Sequence, residues 1–261
     1  MADELWRQSA TTLAELIRSK QTSCQEVVES HLGRIEAVND TLNAITVVLA
    51  DSALAAAAEA DRREPTGRLH GVPFTIKENI DCLDSATTRG VPALADSMPS
   101  VDAPVVARMK AAGAIPLGRT NLSELGMRIT TDNPLHGRTL NPWHADRTPG
   151  GSSGGEASAL ASGMSPLGLG NDIGGSVRNP AFCCGVASLK PSAGRIPHAS
   201  SIPPEDSGLA AQLLLTEGPI ARHVKDLRLA YETLSGRDSR DPQSTDAPLY
   251  GPDVKKRAAI V

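Results

Sequence analysis

The sequence is poor in aromatic residues, which make up 2% of its 261 positions. Platforms that stack nucleic-acid bases or sugar rings are built from aromatic side chains, so their scarcity argues against such a binding site. The formal net charge of −4 has the wrong sign for a nucleic-acid surface, and the longest basic run spans only residues 255–257. We therefore expect no direct nucleic-acid partner, and a core packed with Ala, Val, Leu and Ile.

Cysteine is also scarce, with four residues, of which Cys183 and Cys184 are adjacent. That spacing suits neither a CxxC metal clip nor an easy disulfide, so we expect reduced, buried thiols and no metal site. No apolar run approaches the ~18 residues that span a membrane. The polar, acidic N-terminus lacks the basic and apolar regions of a signal peptide. These features predict a soluble, cytoplasmic protein without a membrane partner.

Short apolar runs alternate with helix-forming segments along the chain. Strands are predicted at 44–49, 72–76, 114–117, 165–170 and 186–189. Helices are predicted at 11–18, from Ser23 with Glu26 completing a capping box, and at 52–62, 104–112, 155–161 and 224–234. This alternation predicts an α/β fold around a mixed or parallel sheet, covered by helices on both faces.

The chain contains no internal repeat and no strong linker, so one domain is expected, with N-terminal helices over about 1–65 and an α/β core over about 66–261. Residues 238–253 are rich in Pro, Asp, Ser and Gly, which predicts a loop. Residues 258–261 resemble the start of a buried strand, which suggests a domain truncated at its C-terminus.

Two glycine-rich segments carry the strongest chemical signal. Pro149–Gly155 runs straight into a helix-forming stretch, which argues against a flexible linker. In Asp172–Pro180, two glycines precede Ser176, and successive backbone N–H groups there form a nest suited to a developing oxyanion, with the hydroxyl as nucleophile. The alternative is a tight turn in which Ser176 caps a helix. From this loop alone, the two interpretations are equally favoured.

A serine nucleophile needs a base. None of the six histidines lies in a recognisable catalytic motif, and the G-x-S-x-G elbow is absent. Lys77 ends the apolar segment 72–76, so its amine is a candidate for burial, which would lower its pKa and leave it able to accept a proton. Judged on position alone, an exposed lysine at a strand end is the commoner outcome.

Taken together, Gly150–Gly155 and Asp172–Pro180 resemble the amidase signature family, and the resemblance extends from the N-terminal helices to about residue 235. The separations also match: 176 − 152 = 24 positions and 152 − 77 = 75 positions. The resemblance implies a triad in which Ser176 is the nucleophile, Ser152 the bridging serine after a cis peptide bond, and Lys77 the base.

The resemblance assigns further residues by motif position. Backbone N–H groups of Ile173, Gly174, Gly175 and Ser176 are expected to hold the oxyanion. Gly126 falls where the family's backbone lines the substrate site. Supporting roles are implied for Ser153, through hydrogen bonding to the relay, and for Asp172 and Arg178, which order the loop. No cofactor is implied.

Amide hydrolysis through an acyl-enzyme is therefore the predicted function, with a small-molecule amide as substrate and homo-oligomerisation left open. The first alternative is the glutaminase subunit of a tRNA-dependent amidotransferase, although those subunits tend to carry Thr where this chain has Ile173. The second alternative is an inactive fragment, because family catalytic domains are considerably longer and the C-terminal half is missing here.

Overall fold

A mixed sheet organises the chain in a computed structural model that describes residues 2–83, 85–204 and 208–251. The described residues form six strands in the order β1-β3-β2-β4-β6-β5. The strands are β1 (Ile45–Val48), β2 (Pro73–Lys77), β3 (Ile115–Thr120), β4 (Leu167–Asp172), β5 (Ala187–Ser188) and β6 (Thr216–Ala221). Strand β2 runs parallel to β3 and β4, whereas the β1–β3, β4–β6 and β5–β6 pairs are antiparallel. The predicted α/β class with a mixed sheet is confirmed.

All six predicted helices are present, within one or two residues of the expected bounds. The α-helices are α1 (Ala10–Arg18), α2 (Cys24–Leu42), α3 (Ala50–Asp61), α4 (Pro104–Ala111), α5 (Gly154–Ala161), α6 (Arg178–Cys184), α7 (Leu209–Leu214) and α8 (Val224–Leu234). The capping box at the start of α2 is confirmed, because Ser23 Oγ accepts from the N–H of Glu26 and the Glu26 carboxylate accepts from the N–H of Ser23. No helix in the described ranges is both long and apolar enough to cross a membrane.

One strand and two α-helices of the described residues were not predicted: β6, α6 and α7. Strand β6 contains Gly218 and Pro219, and proline in an interior strand is unusual because it cannot donate to the ladder. The carbonyl of Pro219 still accepts a hydrogen bond from Leu189 N at 3.1 Å, so β6 is joined there to the residue that follows β5. The loop prediction for 238–253 holds as far as residue 251. The strand predicted at 258–261 lies outside the described residues, and the domain boundary near residue 65 stays a prediction.

Parallel pairing sets the position of the polar residues in the sheet. Because the carboxyl ends of parallel strands meet at the same edge, Lys77 at the end of β2 lies beside the end of β4, which carries Asn171 and Asp172. All five residues of β2 and all six of β4 are buried. These side chains therefore meet in the interior of the chain rather than in solvent.

The first and last helices are joined through a buried carboxylate. Asp226 in α8 is fully buried and accepts hydrogen bonds from Ala10 N at 3.2 Å, Thr11 N at 2.9 Å and Thr11 Oγ1 at 2.7 Å. A carboxylate near a helix N-terminus also interacts favourably with the helix dipole. Asp226 thus satisfies free N–H groups of α1 from across the fold.

We predict that Asp226→Ala lowers the free energy of unfolding by about 2 kcal/mol, because donors that the charged group satisfies would be left buried without a partner. Urea denaturation followed by circular dichroism measures this change. The matched control is Asp40→Ala at an exposed position, which should leave stability nearly unchanged. Equal effects of the two substitutions would contradict the role of Asp226.

Candidate active site

Lys77 is fully buried at the end of β2. Its Nζ donates hydrogen bonds to Ser152 Oγ at 2.7 Å and to Asn171 Oδ1 at 2.9 Å. Burial lowers the pKa of Lys77 from its usual value to about 7, although the carboxylates of Glu217, Asp172 and Glu156 oppose the shift. The alternative of an exposed lysine at a strand end is therefore wrong, and a neutral amine is accessible near neutral pH.

Ser152 is held between the sheet and the segment before helix α5. The Gly151–Ser152 peptide bond is cis, which confirms the expectation for this bond. A side chain at Gly151 would lie within 2.6 Å of the backbone around Arg128 and Ile129, so only glycine fits there. The carbonyl oxygen of Ser152 accepts from Ser123 N at 3.2 Å. The backbone thus fixes the Ser152 hydroxyl against the Lys77 amine.

Ser153 contacts the loop through its backbone rather than through its hydroxyl. Its N–H donates to the carbonyl of Ser176 at 3.2 Å. Its hydroxyl is buried and has no hydrogen-bond partner among the described residues. Side-chain hydrogen bonding to the relay, which the resemblance implied, is therefore absent from this structure. The Ser153 N–H instead joins the two glycine-rich segments.

The Asp172 carboxylate organises the loop that carries Ser176. It accepts from Gly175 N at 2.7 Å and Val177 N at 3.0 Å, and Arg178 donates to it through Nη2 at 2.9 Å and Nε at 3.1 Å. Burial alone would raise the pKa of Asp172, but these hydrogen bonds outweigh it and lower the pKa to about 2. Lys190 Nζ also donates to the Asp172 carbonyl at 2.7 Å. The loop is thereby built around a permanently charged group.

Three of the four N–H groups expected to hold an oxyanion have no hydrogen-bond partner among the residues that the structure describes. The N–H of Gly175 donates to Asp172 Oδ1 at 2.7 Å, and its expected role at the oxyanion stays a prediction. The N–H groups of Ile173, Gly174 and Ser176 make no hydrogen bond to another described residue. The helix-capping alternative for Ser176 is wrong, because α6 begins after Val177 and its first turn has no side-chain cap.

A cleft of about 270 Å³ brings the predicted residues together. Ser152, Ser176, Ile173 and Gly126 all line it. A Cβ at Gly126 would lie 3.5 Å from Ser152 Oγ, and its φ of +71° favours glycine. The Ser176 side chain is partly exposed. Among the described residues, no hydrogen bond joins the hydroxyl of Ser176 to the hydroxyl of Ser152. The structure therefore places both hydroxyls in one cleft, with Lys77 beneath Ser152.

Sequence reasoning missed an asparagine pair in this cleft. Asn171 Oδ1 accepts from Lys77 Nζ, and it also accepts from Asn79 Nδ2 at 3.1 Å. In return, Asn171 Nδ2 donates to Asn79 Oδ1 at 3.0 Å. Asn171 directly precedes the Asp172–Pro180 motif, but its pairing with Asn79 across 92 positions leaves no local signal in the sequence. The pair aims an oxygen at the lysine amine and so fixes its position.

Glu156 is a second residue that the sequence did not single out. It is fully buried in α5, where Thr75 and Thr120 donate hydrogen bonds to its carboxyl group. Burial raises the pKa of Glu156 to about 7, against the opposing effect of those hydroxyls. The sequence signal that could have indicated a buried role for Glu156 is a glutamate among the small residues of α5. Within the described residues, no three His, Cys, Asp or Glu side chains cluster in a way that could hold a metal ion.

Comparisons with known proteins establish the family of the chain. The family model described as Amidase matches residues 26–260. The chain is 51% identical over 255 residues to an indoleacetamide hydrolase from Bradyrhizobium diazoefficiens, an alignment that covers 96% of this chain and 49% of that protein. It is 38% identical to a glutamyl-tRNA(Gln) amidotransferase subunit from a Sulfurihydrogenibium species, over 94% of this chain and 50% of that protein.

Solved structures show the same relationship. A bacterial aryl acylamidase of the amidase signature family superposes with a TM-score of 0.86 at 39% identity, over 93% of this chain and 50% of that one. The chain therefore spans about half the length of the relatives it matches. Because the family model covers most of the sequence and the fold matches at this identity, the chain belongs to the amidase family.

Proposed function

We propose that the protein carrying this chain hydrolyses a carboxylic amide to an acid plus ammonia or an amine, with Ser176 as nucleophile. The observation that carries the proposal is the buried contact of 2.7 Å between Lys77 Nζ and Ser152 Oγ. A lysine with a pKa near 7 can accept a proton at neutral pH, which an exposed lysine cannot. No histidine among the described residues is hydrogen-bonded to Lys77 Nζ or Ser152 Oγ.

The proposed reaction begins when neutral Lys77 accepts the proton of Ser152, while Ser152 accepts that of Ser176. A hydrogen bond between the two serines has to form for this step, and such contacts often tighten only when substrate is bound. Ser176 Oγ bonds to the amide carbon, and the oxyanion receives hydrogen bonds from the free N–H groups of the loop. The C–N bond then breaks as the relay returns a proton to the leaving nitrogen.

Hydrolysis of the acyl-enzyme uses the same relay. Lys77, through Ser152, removes a proton from a water molecule, whose oxygen bonds to the ester carbon. The bond from that carbon to Ser176 Oγ breaks, and the proton returns to Ser176. Asp172 and Arg178 order the loop without exchanging protons, because the carboxylate stays charged at any pH at which Lys77 titrates.

For the substrate we propose a small-molecule amide, and indole-3-acetamide is the first to test. The support is the 51% identity with an indoleacetamide hydrolase, against 38% with an amidotransferase subunit. The alternative of a glutaminase subunit predicts hydrolysis of glutamine that rises when partner subunits are added. The chain spans about half the length of its relatives, so a second alternative is that the isolated chain is an inactive fragment. An assay of amide hydrolysis by the isolated chain tests this alternative.

We also propose a reducing, cytoplasmic location. All four cysteines are free thiols, and Cys24, Cys82 and Cys184 are buried. Burial raises the pKa of the Cys24 and Cys184 thiols to about 12, so both stay protonated and unreactive. Free cysteines of this kind are typical of proteins kept in a reducing compartment.

We predict that Ser176→Ala abolishes both amide turnover and covalent labelling by a fluorophosphonate, because the labelled oxygen is lost. Intact-protein mass spectrometry measures the labelling. The control Ser192→Ala removes an exposed hydroxyl outside the cleft and should label like wild type. A folded wild type that takes no label, or a Ser176→Ala variant that labels normally, would rule out this nucleophile.

We predict that kcat/KM rises with pH through an apparent pKa of about 7, because only neutral Lys77 can serve as the base. Lys77→Arg should lower kcat on the order of 100-fold or more, since a guanidinium does not release its proton. Lys225→Arg at an exposed position is the control. Turnover by Lys77→Arg at the wild-type rate would eliminate Lys77 as the base.

A further inference from the structure

One histidine in the cleft is held firmly but has no part in the proposed relay. His198 Nδ1 lies 2.6 Å from Glu217 Oε1, and the backbone N–H of His198 donates to Asp241 Oδ2 at 2.9 Å. Glu217 lies on β6, where its side chain is only 4% exposed. The imidazole is therefore anchored to the sheet on one side, and its backbone is anchored to a loop on the other.

The second ring nitrogen of His198, Nε2, has no hydrogen-bond partner among the described residues. His198 lines the same cleft as Ser152 and Ser176, and about 31% of its side chain is exposed. The contact between Nδ1 and the Glu217 carboxylate leaves Nε2 as the ring nitrogen that can interact with another group. Histidines oriented by a carboxylate in other sites behave in the same way. Nε2 is thus the polar atom that this residue can offer to a bound molecule.

The surroundings favour the charged form of the ring. Desolvation would lower the pKa of His198, but the hydrogen bond to Glu217 and the charges of Glu217, Asp241 and Asp81 outweigh it and raise the pKa. An imidazolium carries a proton on both nitrogens, so Nε2 becomes a donor. The Glu217 carboxylate does not line the cleft, so the positive end of the pair is the one presented there.

Few other charges line the cleft. Among its described lining residues, the only other cationic side chain is Arg89, and none carries a carboxylate. Arg89 already donates to the carbonyl of Ile202 at 3.1 Å, so part of its guanidinium is committed to the protein. His198 is the cationic donor whose second nitrogen has no such commitment to a described residue.

We propose that His198 is a specificity-determining residue, whose Nε2–H donates to an acceptor atom on the bound amide and shifts the cleft towards anionic and acceptor-bearing substrates over cationic ones. The inference rests on the proposed amide-hydrolysing site. A charge that faces a partly desolvated cleft interacts with a bound charge more strongly than one in bulk water. Replacing the ring by a neutral side chain should therefore change affinity according to the charge of the ligand.

The test measures binding in the absence of turnover. In the full-length protein with Ser176→Ala, dissociation constants are measured by calorimetry for 4-carboxyphenylacetamide and 4-(aminomethyl)phenylacetamide. Adding His198→Gln should change the ratio of the two constants about tenfold in favour of the cationic amide. Adding His198→Lys, which restores a cation, should return the ratio towards that of the parent. His144→Gln, at an exposed position outside the cleft, should leave it unchanged.

The outcomes separate this inference from the proposed function. A ratio that is the same with His198 and with His198→Gln overturns the inference, whatever the turnover of the wild-type enzyme. A His198→Lys variant that behaves like His198→Gln overturns it as well, because a merely structural role for the ring would not depend on charge. Failure of amide turnover with an altered binding ratio would instead count against the Ser176 chemistry alone.

Discussion

The buried contact between Lys77 and Ser152 is the interaction on which the rest of the site depends. An ammonium group without water is strongly destabilised, so burial at the end of β2 favours the neutral amine. The amine then needs polar partners, and the structure supplies two, Ser152 Oγ and Asn171 Oδ1. Parallel pairing of β2 with β4 brings the asparagine alongside, and the backbone before α5 brings the serine. Sheet topology thereby sets the chemistry of one side chain.

The buried ionisable groups of this fold differ in whether their surroundings favour the neutral or the charged form. Desolvation moves Lys77 and Glu156 towards their neutral forms, and the pKa of each lies at about 7. Asp172 is buried too, yet hydrogen bonds from Arg178 and the loop backbone keep it charged, with a pKa of about 2. The two carboxyl groups differ in their donors, because two threonine hydroxyls donate to Glu156, whereas Asp172 accepts from a cationic guanidinium and from the loop N–H groups. A neutral base and a fixed anion can thus stand on adjacent strands, the first exchanging protons in the proposed reaction and the second shaping the loop.

Much of this arrangement could be predicted from the sequence, and the gaps have physical reasons. Periodicity and the Ser23–Glu26 capping box are local, and they located most helices and strands. Strand β6 was missed because Gly218 and Pro219 break the local strand pattern, while tertiary pairing with β4 and β5 holds it in place. The motifs located Ser152, Ser176 and Lys77, but motif positions do not show which groups are already engaged. The Gly175 N–H serves Asp172, and the Ser153 hydroxyl has no partner among the described residues.

The proposed role of Lys77 as a neutral base near neutral pH can be tested without any substrate. Carbon-13 labelling of the lysine side chains, with the Lys77 signal assigned by its loss in Lys77→Arg, allows the amine to be titrated directly by NMR. We expect a midpoint near pH 7 for Lys77. A midpoint at the usual lysine value of about 10.4 would contradict it, because the amine would then be charged throughout the pH range in which the proposed relay has to work.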